Sequence, residues 1–192
     1  MNKEIENYLE KHNACSESAV YALTQNSMKE VWDNCPKLKW LLWMVQREDK
    51  NPEKELRLFA VWCARQVQHL MKDKRSINQL DVAERFAYGN ATEGELVAAR
   101  YAYYARDHRS GACAAWCATE VAKATWEAVW VAKWTSFHAR AAARAATWEA
   151  WSWWLWRVGV RSVAGRLADR SERIAEAAQI KQFKKMIKNP FK

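Results

Sequence analysis

The stretch that decides the fold is Ala112–Val158, ACAAWCATEVAKATWEAVWVAKWTSFHARAAARAATWEAWSWWLWRV. It holds fourteen alanines between Ala112 and Ala146, nine of the chain's thirteen tryptophans, and neither glycine nor proline. Alanine is the strongest helix former and tryptophan the largest side chain, so the stretch reads as helix built for close backbone approach around bulky rings. Trp126, Trp130 and Trp134 recur at i, i+4 and i+8, and Trp116 falls on the same face, about five turns before Trp134. Unbroken helix over all of Ala112–Val158 would be roughly 70 Å long, whereas a compact chain of this size has a radius of gyration of about 16 Å. A break is therefore expected, and Thr135-Ser136 is its best local candidate. This gives an Ala/Trp-rich central helical pair.

Working outward, the other segments carry helical periodicity and capping signals. Polar residues 2–12 open the chain, and a second helix follows over about 14–25. Ser27 caps a short helix from Met28, and Pro36 opens another in which Leu38, Leu41, Leu42 and Val45 alternate with Trp40 and Trp43. Asn51-Pro52 starts a helix expected to run to about Lys74. Leu56, Phe59, Cys63, Val67 and Leu70 lie on one face of it; Leu58, Trp62, Arg65 and His69 lie on the other. Ser76 with Gln79 and Thr92 with Glu95 match capping boxes, and Tyr88-Gly89-Asn90 is a glycine stop. The last helix is expected over about 160–187, with Val163, Leu167, Ile174 and Ala178 inward. The expected architecture is all-α, a compact multi-helix array with a helical domain over 1–158 and a basic C-terminal helix over 159–192 packed on it.

The chain is half apolar yet has only 5 glycines and 3 prolines, which disfavours a sandwich, a barrel or a disordered protein. Its formal charge of +9 points to an anionic partner: a nucleotide, nucleic acid, a membrane surface or an acidic protein face. The excess is concentrated, because residues 157–192 carry ten Lys/Arg against three Asp/Glu. The polar opening MNKEIENYLEKHN and an odd number of cysteines, 5, suggest free thiols in a reducing cytoplasm. The longest apolar run, Leu38–Val45, is too short to span a membrane.

Catalytic and metal signatures are missing. There is no nucleophile elbow, phosphate loop or His-Glu-x-x-His motif. Asp107 and His108 diverge by about 100° on a helix and cannot act as a dyad. His12-x2-Cys15 and Cys113-x3-Cys117 are ligand pairs without a matching second pair, so no metal or cofactor is expected. What remains is a cationic–aromatic constellation: Arg65 and His69 on an apolar helix, Arg100 and His108 on a tyrosine-bearing one, and His138, Arg140, Arg144 and Trp148 between tryptophan clusters. Guanidinium forks match phosphate oxygens and aromatic faces stack on bases, so these residues are the candidate site for an anionic, nucleotide-like ligand. The competing reading is that Arg65 pairs with a carboxylate such as Glu17 or Asp33 and the rings are core. Nucleic acid held by the basic C-terminal segment is a further alternative. Trp151, Trp153, Trp154 and Trp156 point around the whole helix, from which a homo-oligomer is expected.

Three blocks carry a family resemblance: His12-Asn-Ala-Cys15 through Ala19, Trp32 and Cys35 to Trp40-Leu-Leu-Trp43; Leu56-Arg-Leu-Phe-Ala-Val-Trp-Cys-Ala-Arg65 with His69; and Ala83-Glu-Arg-Phe-Ala-Tyr-Gly89 with Ala91-Thr-Glu-Gly-Glu-Leu96 and the Ala/Trp run to Ala146. Over about 12–150 the chain resembles all-helical immunity proteins found beside bacterial toxins and in phage genomes. That resemblance implies a non-enzymatic protein of bacterial conflict that acts by binding, either by sequestering a nucleotide immune signal or by blocking a toxin or host defence protein. Nuclease toxins are basic, so a chain of this charge suits a negative target better.

Overall fold

The computed structural model describes residues 2–48, 52–71, 74–101, 136–146 and 161–191, with the backbone alone at 100, 101 and 161–164. These residues are all-helical, with no strand among them. The helices are α1 (Lys3–Lys11), α2 (Ser16–Ala22), α3 (Met28–Asp33), α4 (Leu38–Val45), α5 (Glu53–Arg65), a 3-10 turn (Gln68–Leu70), α6 (Lys74–Ala87), α7 (Glu93–Tyr101), α8 (136–146) and α9 (Arg161–Met186).

Local chemistry sets most of the boundaries. Asn2 caps α1 by accepting from the Glu4 amide, and Ser27 caps α3 by accepting from the Glu30 amide. After α1, Asn13 takes a positive φ of 50° while the Ala14 amide reaches back to the Leu9 carbonyl. The Thr92–Glu95 capping box forms in full. The Glu95 amide donates to Thr92 Oγ1 at 3.2 Å, and the Thr92 amide donates to Glu95 Oε2 at 2.8 Å. Gly89 adopts φ +78°, and the Asn90 amide returns to the Arg85 carbonyl at 2.7 Å, closing α6 as expected.

Three expectations are corrected. The helix read from Pro52 to Lys74 ends at Arg65, and His69 sits in the 3-10 turn rather than on the Leu58–Trp62–Arg65 face. Ser76 is not a cap: α6 begins at Lys74, and both Ser76 and Gln79 are buried inside it, with hydroxyl and amide unbonded among the described residues. On α9 the buried side is Ala168, Gln179, Phe183 and, just past its end, Ile187, while Ile174 is 61% exposed and Ala178 is exposed. Packing chose the side of the helix that is poor in cations over the side that carries its central isoleucine.

The core forms where α4, α5 and α9 meet. Leu38, Trp40, Leu41, Leu42, Met44 and Val45 are all buried, as expected of a helix apolar around its circumference. Phe183 of α9 enters edge-on to Phe59, ring centroids 5.0 Å apart, and lies 6.1 Å from Trp32. Beyond it, Lys184 Nζ donates to the carbonyl of Asp33, at the end of α3, at 2.9 Å and to that of Cys35, in the turn that follows, at 3.2 Å. Asn189 bonds Asp33 Oδ1 at 2.9 Å, and Phe191 packs edge-on to Tyr8. The C-terminal segment is thus stitched into the N-terminal half. α6 packs against α5 and α7. The break near Thr135-Ser136 and the tryptophans at 116, 126, 130, 134, 148, 151, 153, 154 and 156 lie outside the described residues, except that 136–146 is helical with Ala139 and Ala142 buried.

Candidate functional site

Arg65, at the last position of α5, is 26% exposed and turns toward α6. Its Nη2 meets Asp81 Oδ1 at 2.7 Å and Glu84 Oε2 at 2.6 Å, and its Nη1 donates to Gln68 Oε1 at 2.8 Å. Burial works against its charge, but the hydrogen bonds to Asp81 and Glu84 outweigh that and hold the guanidinium charged. Asp81 and Glu84 are the carboxylates that answer it. Glu17 instead serves Lys37 and Lys39, and Asp33 serves Lys29. His69 is exposed, four residues on in the 3-10 turn.

The basic residues of α8 meet a different surface. Arg140 Nη1 donates to Gln179 Oε1 at 2.8 Å, and Gln179 Nε2 in turn donates to the Ser136 carbonyl at 3.1 Å. Arg144 holds Asp169 at 3.0 Å and Glu172 at 3.5 Å. α8 is therefore clamped to α9 by one amide relay and one ion-pair fork. His138 is partly buried, which lowers its pKa and favours the neutral imidazole. Cys63 is fully buried, and its thiol is pushed well up by that burial, with the Arg140 charge pulling the other way. Of the remaining expected site residues, Arg100 is described by its backbone in α7, and His108 and Trp148 lie outside the described residues. The structure thus joins Arg140 and Arg144 on one helix pair and gives Arg65 a separate acidic partner set.

A cleft of about 640 Å³ opens between the end of α4, the start of α5 and the chain after α9. Its charged lining is Glu48, Glu55 and Lys188, a poor match to an anion. Among the described residues no group of three or more His, Cys, Asp or Glu is arranged to hold a metal ion, and no helix is long and apolar enough to cross a membrane. His12 packs against Tyr8 with the rings tilted, centroids 4.5 Å apart, and Cys15 bonds Ser18 at 3.2 Å.

The basic C-terminal segment, expected from its charge, gains a geometry that the site residues read from the sequence did not include: the outer side of α9. Arg166, Arg170, Arg173, Lys181 and Lys185 fall within an arc of about 120° at 3.6 residues per turn, opposite Ala168, Gln179 and Phe183. Lys188 follows just past the helix end, at the rim of the cleft it lines with Glu48 and Glu55. All six are exposed, and none pairs with a carboxylate among the described residues. The helix's own acids, Asp169, Glu172 and Glu176, lie on the half turned toward its packed side, where Arg144 engages the first two. The signal was in the sequence as two triads of equal spacing, Arg-x3-Arg-x2-Arg and Lys-x3-Lys-x2-Lys. Compared with protein families, curated proteins and solved structures, the chain matches none.

Proposed function

We propose that this chain is a non-enzymatic binding protein that engages an anionic partner through the outward side of α9. One observation carries this reading: five exposed cations on one side of a long helix, with a sixth, Lys188, just past its end, and every carboxylate of that helix on the other half. A surface of one sign raises the local concentration of an oppositely charged partner and speeds its encounter. Arg65, Arg140 and Arg144 are the weaker candidates, because carboxylates or an amide already answer each of them. A ligand there would have to displace those partners. A binder of negative targets also suits the role in bacterial conflict that the resemblance implies.

Retention on heparin, a generic polyanion, tests the reading. The full-length protein is expected to elute late in a salt gradient. A variant with Arg166, Arg170, Arg173, Lys181, Lys185 and Lys188 all changed to Gln is expected in the early fractions. Equal elution of the two would reject α9 as the anion-binding surface.

A further inference from the structure

The same face has a geometry that selects among anions. From Arg166 to Lys185 the helix runs about 28 Å at 1.5 Å per residue. Its cations form two triads, the second completed by Lys188 just past the helix end, separated by a gap from Arg173 to Lys181 of about 12 Å at the same rise. The gap is floored by small or single apolar side chains: Ile174, Ala177 and Ala178 are its exposed residues. The B-DNA major groove is also about 12 Å wide, with a phosphate strand on either side.

Resting on the anion-binding reading above, we propose that α9 lies across the groove of a nucleic-acid duplex, the arginine triad on one phosphate strand and the lysine triad on the other. Three properties of the face favour a duplex over other polyanions. It carries no aromatic ring on which an unpaired base would stack, as single-strand platforms do. It offers no buried aromatic or aliphatic anchor of the kind that dominates protein–protein interfaces; Ile174 stands alone. Its helix cannot serve as a membrane-surface amphipath, because the apolar side is committed to the core through Phe183 and Ile187. Contacts to phosphate alone carry no base information, so binding is independent of sequence.

The test is fluorescence anisotropy of the full-length protein with a labelled 20-base-pair duplex, the matching single strand, polyglutamate and phosphatidylserine-containing vesicles, each across a salt series. Six phosphate contacts predict a slope of log affinity against log salt of about −5 for the duplex, a loss of roughly 10³-fold between 50 and 200 mM. Changing either triad alone to Gln is expected to bring that slope to about −3. All six side chains are exposed, so the variants are expected to stay folded. A lysine-triad variant with an unchanged slope would overturn the two-strand placement. Tighter binding of single strand, polyglutamate or vesicles, lost in the six-site variant, would overturn the duplex and leave the anion-binding reading standing. If no anion binds, both fall together.

Discussion

Replacing Phe183 with Ala tests whether the C-terminal helix is part of the core or a detachable basic tail. The ring is fully buried, edge-on to Phe59 and close to Trp32. A buried aromatic side chain removes about 150–250 Å² from water, which at about 25 cal/mol per Å² sets an upper bound of about 4–6 kcal/mol. Measured Phe→Ala costs in cores, about 3–5 kcal/mol, agree and include the cavity left behind. Against a total stability of about 5–15 kcal/mol, that is a large share. Urea unfolding followed by tryptophan fluorescence reads it directly. With a slope near 2 kcal/mol per M, the midpoint should fall by about 1.5–2.5 M. Ile174→Ala on the same helix is the control: that side chain is 61% exposed, so its cost should stay within about 0.5 kcal/mol. A Phe183→Ala cost below about 1 kcal/mol, or one equal to the control, would refute the docking of α9 described above.

Gly89 and Gly94 should respond to alanine with opposite signs. Gly89 holds φ +78° with open space where a Cβ would go, so Gly89→Ala should cost about 1–2 kcal/mol from backbone strain alone. Gly94→Ala, at a helical position with only Thr92 Oγ1 at 3.8 Å, should stabilise by about 0.5 kcal/mol in the same denaturation assay. His138 is neutral in both folded and unfolded chains well above pH 6.5. As pH falls through 6.5 the unfolded chain takes up a proton that burial denies the folded one, so stability declines on acidification. In Tm measured from pH 7.5 to 5.5, His138→Gln should show a shallower decline. Its slope is reduced rather than abolished, because His12 is lowered too, by burial and by Lys11 and Arg47. An unchanged slope would contradict the burial of His138. Arg65→Met should cost about 1 kcal/mol, the scale of a partly exposed ion-pair network, and leave heparin retention unchanged. Loss of retention would return the anion site to Arg65.

How much of this was legible depends on the range of the interaction concerned. Caps and stops act within four or five residues, and Ser27, Thr92–Glu95 and Gly89 behave as their local chemistry dictates. Ser76 shows the limit of that reasoning. A serine three residues before a glutamine matches the capping pattern, yet Lys74 and Arg75 before it extend the helix and the pair ends up buried. The helical period past Arg65 was misleading for a related reason. Val67 and Leu70 keep the spacing, but the chain turns at Gln66–Val67 and buries Val67 without continuing α5. α9 shows how charge overrides apolarity: Ile174 looked like core, but it sits between two cation triads that packing cannot bury. Arg65 was read as a ligand contact or, in the competing reading, as paired with Glu17 or Asp33; that Asp81 and Glu84 answer it instead depends on how α5 lies against α6, information no single segment contains. The Ala/Trp stretch was the clearest helix signal, and its described part, 136–146, is helical and bound to α9 through Arg140 and Arg144.

The most direct test of the central claim separates the position of charge from its amount. Two variants each lose six cations. One has Arg166, Arg170, Arg173, Lys181, Lys185 and Lys188 changed to Gln; the other has Lys3, Lys11, Lys29, Lys39, Lys54 and Lys74, all exposed on other helices, changed to Gln. Titration calorimetry with heparin at fixed low salt compares them at equal net charge. If the outer side of α9 is the binding surface, the first variant loses affinity by at least about 100-fold, while the second, changed only in long-range attraction, stays within about 10-fold of the unaltered protein. Equal losses in the two variants would contradict the claim and reduce the chain's basicity to a property of its surface as a whole.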